Sequence, residues 1–94
     1  MRSILQTDKK CYLCGRTSNL ERHHVIHGTA NRRKAEKMGL WIWLCPECHR
    51  NGPEAVHRNA TLDRNLKKIA QKRYEYTHTR AEWMREIGRN YIDE

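Results

Sequence analysis

Two Cys-x-x-Cys pairs, Cys11-Tyr12-Leu13-Cys14 and Cys45-Pro46-Glu47-Cys48, stand thirty residues apart in an otherwise polar chain. Zinc takes four soft ligands in a tetrahedron about 2.3 Å from the metal, and each pair presents two thiolates from one tight turn, so two such turns close one site. Gly15, directly after the first pair, lets the backbone turn beneath the ion. A redox dithiol is the first rival reading, but it normally sits at a helix start in a βαβ setting, which this chain lacks. Two disulfides are the second, and they belong to oxidising compartments. Met1 to Gln6 has no apolar stretch of the length a secretory signal needs. The longest uninterrupted apolar run, Leu40 to Cys45, falls far short of the about 20 residues of a membrane span. The expected compartment is the cytoplasm, with no membrane partner, and the expectation for Cys11, Cys14, Cys45 and Cys48 is a structural Zn²⁺.

Composition says why such a staple is needed. The chain has 94 residues, of which 37% are hydrophobic and none is phenylalanine. That is the length of one domain, spanning 1–94. A chain so short buries only roughly 60 to 70% of the surface its unfolded form exposes, and its mean hydropathy of −1.04 leaves little of that apolar. Zinc binding free energy becomes folding free energy in such a case.

The remaining pattern predicts an α+β fold. Residues Asn19 to Ile26 read as a short strand ending in a loop at His27-Gly28. Asn31 to Met38 reads as a helix capped by Thr29 or Asn31 and stopped by Gly39. Leu40 to Leu44 reads as a strand with aliphatic and aromatic residues on opposite faces. The second cysteine pair should start a helix that Gly52-Pro53 interrupts, with a turn carrying His57 beyond it. Leu62, Leu66, Ile69, Arg73 and Tyr76 mark the inner stripe of a helix from Leu62 to about Thr77. Thr79-Arg80-Ala81-Glu82 is a capping-box pattern that opens a last helix, with Trp83, Met84 and Ile87 as its apolar face and an end near Gly88. The first ten residues read as loose, and Trp41 and Trp43 as packed against the long helix.

The six histidines are informative by position. His23 and His24 lie on the strand between the cysteine pairs, and His49 and His57 follow the second pair. A closed four-cysteine site leaves them free for a second, open one. Neighbouring strand residues point to opposite faces, so His23 and His24 divide their labour: one is able to bind metal while the other acts nearby. His27 and His78 read as structural or solvated.

The formal net charge is +8, and residues 1–50 carry +6 of it against +2 for residues 51–94. This concentration points to a polyanionic partner for the cysteine-bearing half. Arg32, Arg33, Lys34 and Lys37 form a basic helix face suited to phosphate contact, with Arg22 beside the histidine pair. Lys67, Lys68, Lys72 and Arg73 offer further contacts.

Together, Cys11-x-x-Cys14, Glu21-Arg22-His23-His24-Val25-Ile26 and Leu44-Cys45-Pro46-Glu47-Cys48-His49 resemble the zinc-finger-containing HNH endonucleases, in particular the small ones encoded by bacteriophages and prophages. The resemblance covers residues 11–59. It implies a ββα-metal core, treble-clef-like and of the His-Me finger kind, braced by the zinc, with residues 60–94 as a C-terminal helical extension. It implies a metal-dependent hydrolase of phosphodiester bonds in DNA, working in the cytoplasm of a bacterial host cell. His23 would be a ligand of the catalytic ion, His24 the general base, and His49 a second ligand. Pro53 occupies the family's next ligand position, which makes His57 the nearest candidate. The family's asparagine position is Leu40 here, and Asn31, Asn51 and Asn59 lie elsewhere.

The residue types suit that chemistry on their own terms. A histidine with its ordinary pKa of about 6.5 is a competent base near neutrality, and a cation neutralises charge on the phosphoryl and leaving oxygens. Imidazole donors favour Zn²⁺, Ni²⁺ or Mn²⁺ over Mg²⁺, although added water and phosphate oxygens accommodate Mg²⁺ as well. The alternative from another class is a non-catalytic zinc-finger module that binds DNA or a protein.

Overall fold

In the computed structural model, which describes residues 1–93, the alternating run Trp41-Ile42-Trp43-Leu44 forms strand β2 (Trp41–Leu44) at the centre of the backbone bonding. Strand β1 (Glu21–His24) pairs with it antiparallel, placing Arg22 opposite Trp43, His23 opposite Ile42 and His24 opposite Trp41. The expected strand from Asn19 to Ile26 is thus only four residues long in its paired part. The alternation is otherwise as expected. Leu40, Ile42 and Leu44 are buried, while Trp41 and Trp43 meet edge to face with ring centroids 5.2 Å apart.

The first ten residues are not loose, contrary to the sequence reading. Ile4 N–H donates to the Gly39 carbonyl at 2.9 Å, Trp43 N–H donates to Gln6 Oε1 at 2.9 Å, and Ser3 Oγ donates to the Trp41 carbonyl at 2.5 Å. This segment runs along the second edge of β2, and Trp41 Nε1 donates to the Met1 carbonyl at 3.1 Å. The tryptophans accordingly face the N-terminal segment and Arg22, not the long helix. Polar residues satisfy the open strand edge here, which composition alone does not disclose.

Helix α1 (Thr29–Met38) connects the strands. Gly28, which has no side chain to accept a bond, occupies the cap position expected for Thr29 or Asn31. At the other end Gly39 takes φ +73°, and a Cβ there would lie 2.5 Å from the Arg2 carbonyl oxygen, so no other residue fits without displacing the N-terminal segment. After β2 the chain makes a five-residue π-helical turn, Glu47–Asn51, that ends at Gly52. A Cβ on Gly52 would sit 2.7 Å from the Glu47 carbonyl oxygen. A short 3-10 turn, Val56–Arg58, follows and carries His57.

Helix α2 (Ala60–Tyr74) starts at Asn59, whose side chain accepts from Leu62 N–H. Its buried residues are Leu66, Ala70, Gln71 and Tyr74. The expected stripe is therefore rotated, since Ile69 is 42% and Tyr76 80% exposed. The cause is Gln71, a polar residue drawn inward because its Oε1 accepts from Tyr91 N–H at 2.7 Å and its Nε2 donates to Asn90 at 3.0 Å. Helix α3 (Arg80–Glu86) opens with the expected capping box between Thr79 and Glu82. Trp83 is fully buried, and its indole N–H donates to the Arg89 carbonyl at 2.7 Å. One apolar cluster runs from Cys11, Val25, Ile26 and the inner face of β2 through Val56 and Leu66 to Trp83 and Tyr91. No helix among the described residues is long and apolar enough to cross a membrane.

Candidate functional site

The four cysteines meet. Their sulfurs all lie within 4.8 Å of one another, and the Cys14 and Cys45 sulfurs are 3.6 Å apart. Ligands about 2.3 Å from a tetrahedral zinc stand about 3.8 Å apart along each edge, so the donor set fits the ion. The first pair is tied to the sheet by Tyr12 N–H donating to the Trp43 carbonyl at 2.8 Å, and the second enters directly from β2. Burial works against ionising Cys11, but backbone amides of Cys45, Cys14 and Leu13 outweigh it and bring the thiol down to about 6. Burial and the three neighbouring thiols push Cys48 up. Such crowding is what a divalent cation relieves by taking the thiolates as ligands.

A second cluster stands beside it. One ring nitrogen from each of His23, His49 and His57 lies within 4.8 Å of the others. Ring centroids are 5.2 Å apart for His23 and His49, 5.3 Å for His23 and His57, and 4.7 Å for His49 and His57. His23 arrives from β1, His49 from the turn that carries Cys48, and His57 from Val56–Arg58. His23 is 2% exposed, and its Nε2 is the one buried side-chain nitrogen or oxygen among the described residues without a hydrogen-bond partner. Burial, with help from the other imidazoles, pushes its pKa down to about 3, so the ring is neutral and carries one lone-pair nitrogen. His57 is also lowered, by burial and then by His49 and His27. Buried polar atoms are normally partnered, and an imidazole nitrogen without a protein partner that faces two more imidazoles has the chemistry of a metal ligand.

Glu21 orients this cluster. Two residues from His23, it shares that face of β1, and its carboxylate accepts from His49 Nδ1–H at 2.7 Å. The His49 Nε2 lone pair is thereby left for a metal, the carboxylate–histidine arrangement common behind metal ligands. The second oxygen of Glu21 accepts from Arg50 at 2.5 Å. The His49 bond and Arg50 hold the Glu21 carboxyl below its usual range. Sequence reasoning missed Glu21, although period-two alternation places it beside His23.

His24 projects from the other side of β1, and its Nε2 lies 2.7 Å from Glu36 on α1. It nevertheless helps line a pocket of about 430 Å³ with Arg22, His23, His27, Gly28, Arg32, His49 and His57. His27, read as structural or solvated, is in this lining, and its Nε2 is 3.2 Å from Asp63 Oδ1. An adjoining open groove of about 660 Å³ is lined by Arg22, His24, Arg32, Arg33, Glu36 and Lys37. The expected basic residues thus divide. Arg32, Arg33 and Lys37 are exposed on α1 along the groove. Lys34 reaches away and donates to the Glu86 carbonyl at 2.8 Å, tying α1 to the end of α3. Arg22 pairs with Glu36 and lies 3.9 Å from the centre of the Trp41 ring.

No family model, curated protein or solved structure matches the chain. What the site does is therefore to be read from its side chains. They are a closed sulfur cluster able to hold a metal ion, an imidazole cluster on an open pocket, and an adjoining groove lined mostly by basic side chains.

Proposed function

We propose that the protein is a small metal-dependent endonuclease of the HNH type that hydrolyses phosphodiester bonds in DNA on a zinc-braced ββα-metal core. The observation that carries the reading is the convergence of His23, His49 and His57 around a buried, unpartnered His23 Nε2, in a pocket that His24 also lines. Cys11, Cys14, Cys45 and Cys48 would hold the structural zinc. His23, His49 and His57 would hold the catalytic divalent ion, of which Zn²⁺, Ni²⁺ and Mn²⁺ suit the imidazoles best and Mg²⁺ needs added oxygen ligands. When bound, that ion supplies positive charge against the phosphoryl and leaving oxygens.

The chain's own side chains account for the rest. Glu21 fixes the His49 ring so that only Nε2 faces the site. His24, the general base, takes a proton from the attacking water. Arg32, Arg33 and Lys37 receive the flanking phosphates along the groove, contacts that position the strand without reading its sequence. A binding module has no use for a base beside a three-imidazole cation site.

A plasmid-nicking assay across Mg²⁺, Mn²⁺, Ni²⁺ and Zn²⁺ tests this. Wild-type protein should nick with at least one ion, and His24→Ala should abolish nicking with zinc content and circular dichroism intact. A chain that binds DNA but never cuts it would instead be the non-catalytic zinc-finger module, and full activity in His24→Ala would remove the base assignment.

A further inference from the structure

Strand alternation puts Arg22 and His24 on the face of β1 opposite His23, across from Trp43 and Trp41. Above that face α1 contributes one acidic residue in a run that is otherwise basic, polar or apolar, Glu36 in Thr29–Met38. Its two oxygens are both used. Oε2 lies 2.7 Å from His24 Nε2, and Oε1 accepts from the Arg22 guanidinium. That guanidinium is in turn stacked 3.9 Å from the centre of the Trp41 ring and 5.4 Å from that of Trp43, and the two rings brace each other edge to face.

The chemistry of this bond has one direction. A carboxylate only accepts, so the neutral imidazole must present Nε2–H to Glu36, and its lone pair is then on Nδ1. Resting on the nuclease reading above, we propose that Glu36 is the positioning residue of His24: it selects the tautomer and holds the ring plane so that Nδ1 is the nitrogen that accepts the proton from water. Arg22 and the tryptophan pair act through Glu36, keeping its carboxylate from swinging out along the helix. This gives Arg22 a role within the fold in place of a direct phosphate contact. It also explains why a half-exposed glutamate stands in so basic a helix. The arrangement parallels the carboxylate that orients a catalytic imidazole in hydrolytic triads, where the wrong tautomer alone costs orders of magnitude in rate.

The test uses the full zinc-loaded chain and the cation that best supports wild-type nicking, with kcat and KM measured for wild type, Glu36→Ala and Glu36→Gln. Glu36→Ala should lower kcat about 10- to 100-fold with KM changed by no more than about twofold, as expected for a partner that orients a functional histidine. Glu36→Gln, which keeps an acceptor oxygen, should recover part of that loss. Nickel binding at His23, His49 and His57, followed by calorimetry, should be unchanged in both variants. Long-range proton–nitrogen spectra of the rings give an activity-free readout: His24 should hold its proton on Nε2 in wild type and exchange between tautomers in Glu36→Ala. Wild-type kcat in Glu36→Ala, a loss confined to KM, or a wild-type His24 protonated on Nδ1 would overturn the positioning role and leave the nuclease reading standing. A wild-type chain that nicks with none of the ions would overturn both.

Discussion

Replacing His23 with leucine tests the cation site through stability alone. His23 is 2% exposed and its Nε2 has no partner. A buried polar atom left unsatisfied costs about 1–3 kcal/mol, and replacing such a group with an apolar one of similar volume removes that cost. Leucine is close in size to histidine and would join Ile42, Val25 and Val56, which are buried in the same core. Without added cation, His23→Leu should therefore be more stable than wild type by about 1–2 kcal/mol, which for a domain this small raises Tm by about 4–8 °C per kcal/mol. With Ni²⁺ the order should reverse. A ligand at 100 times its Kd adds about 2.7 kcal/mol to the state that binds it, and only wild type retains three imidazoles. The assay is thermal unfolding of both proteins, each carrying one equivalent of Zn²⁺, with and without excess Ni²⁺. Crossed melting curves are the signature. A variant that is less stable than wild type without Ni²⁺, or gains as much from it, would show that His23 is an ordinary core residue.

Three further outcomes are expected. Chelation of zinc, or Cys45→Ser, should abolish cooperative unfolding and most helical circular dichroism, since structural zinc contributes about 10–16 kcal/mol in small fingers, as much as the entire stability of a typical domain; a chelated chain with an unchanged Tm would contradict the staple. Burial disfavours the Asp63 carboxylate, but Lys67 at 2.8 Å and His27 at 3.2 Å more than offset this and hold its pKa below the usual range. Because the folded pKa is depressed, the stabilisation is present above the unfolded value of about 3.9 and is lost as pH falls through the folded value, so Asp63→Asn should cost about 0.5–1 kcal/mol in urea titrations at pH 7, where the thiolates still hold zinc, and an unchanged midpoint would contradict the pairing. Thr79→Ala should remove the capping box of α3 and lower stability by about 1 kcal/mol in the same titrations.

How much of this was legible in the sequence depended on the range over which each residue acts. The cysteine spacing, the two-faced β2, the stop at Gly39 and the Thr79–Glu82 box are local patterns, and the structure follows them. What escaped were polar residues whose partners are far along the chain. Gln6 and Ser3 find backbone atoms of β2 more than thirty positions away, and no periodicity announces that. Gln71 reads as an outer helix position until Tyr91 folds back onto it. That His23, His49 and His57 come together follows their positions around the cysteine pairs, while setting His23 apart from His24 rested on the family resemblance. The supporting carboxylates were not anticipated, yet Glu21 shares a strand face with His23 and Glu36 is the lone acid of α1. Both were signals available to a reading that asked what would hold each histidine.

Cys48 and His49 are joined by a single peptide bond on the turn Glu47–Asn51, one facing the sulfur cluster and the other the imidazole cluster. Two equilibria that share a rigid segment are bound by reciprocity: whatever factor one ion adds to the affinity of the other must be returned in equal measure. On the proposed reading, zinc at the thiolates would fix the turn and so prepare His49. An ion at the histidines would then tighten the hold on zinc by the same factor. The chain would load its metals as a pair, and an affinity measured at either site has meaning only when the occupancy of the other is stated.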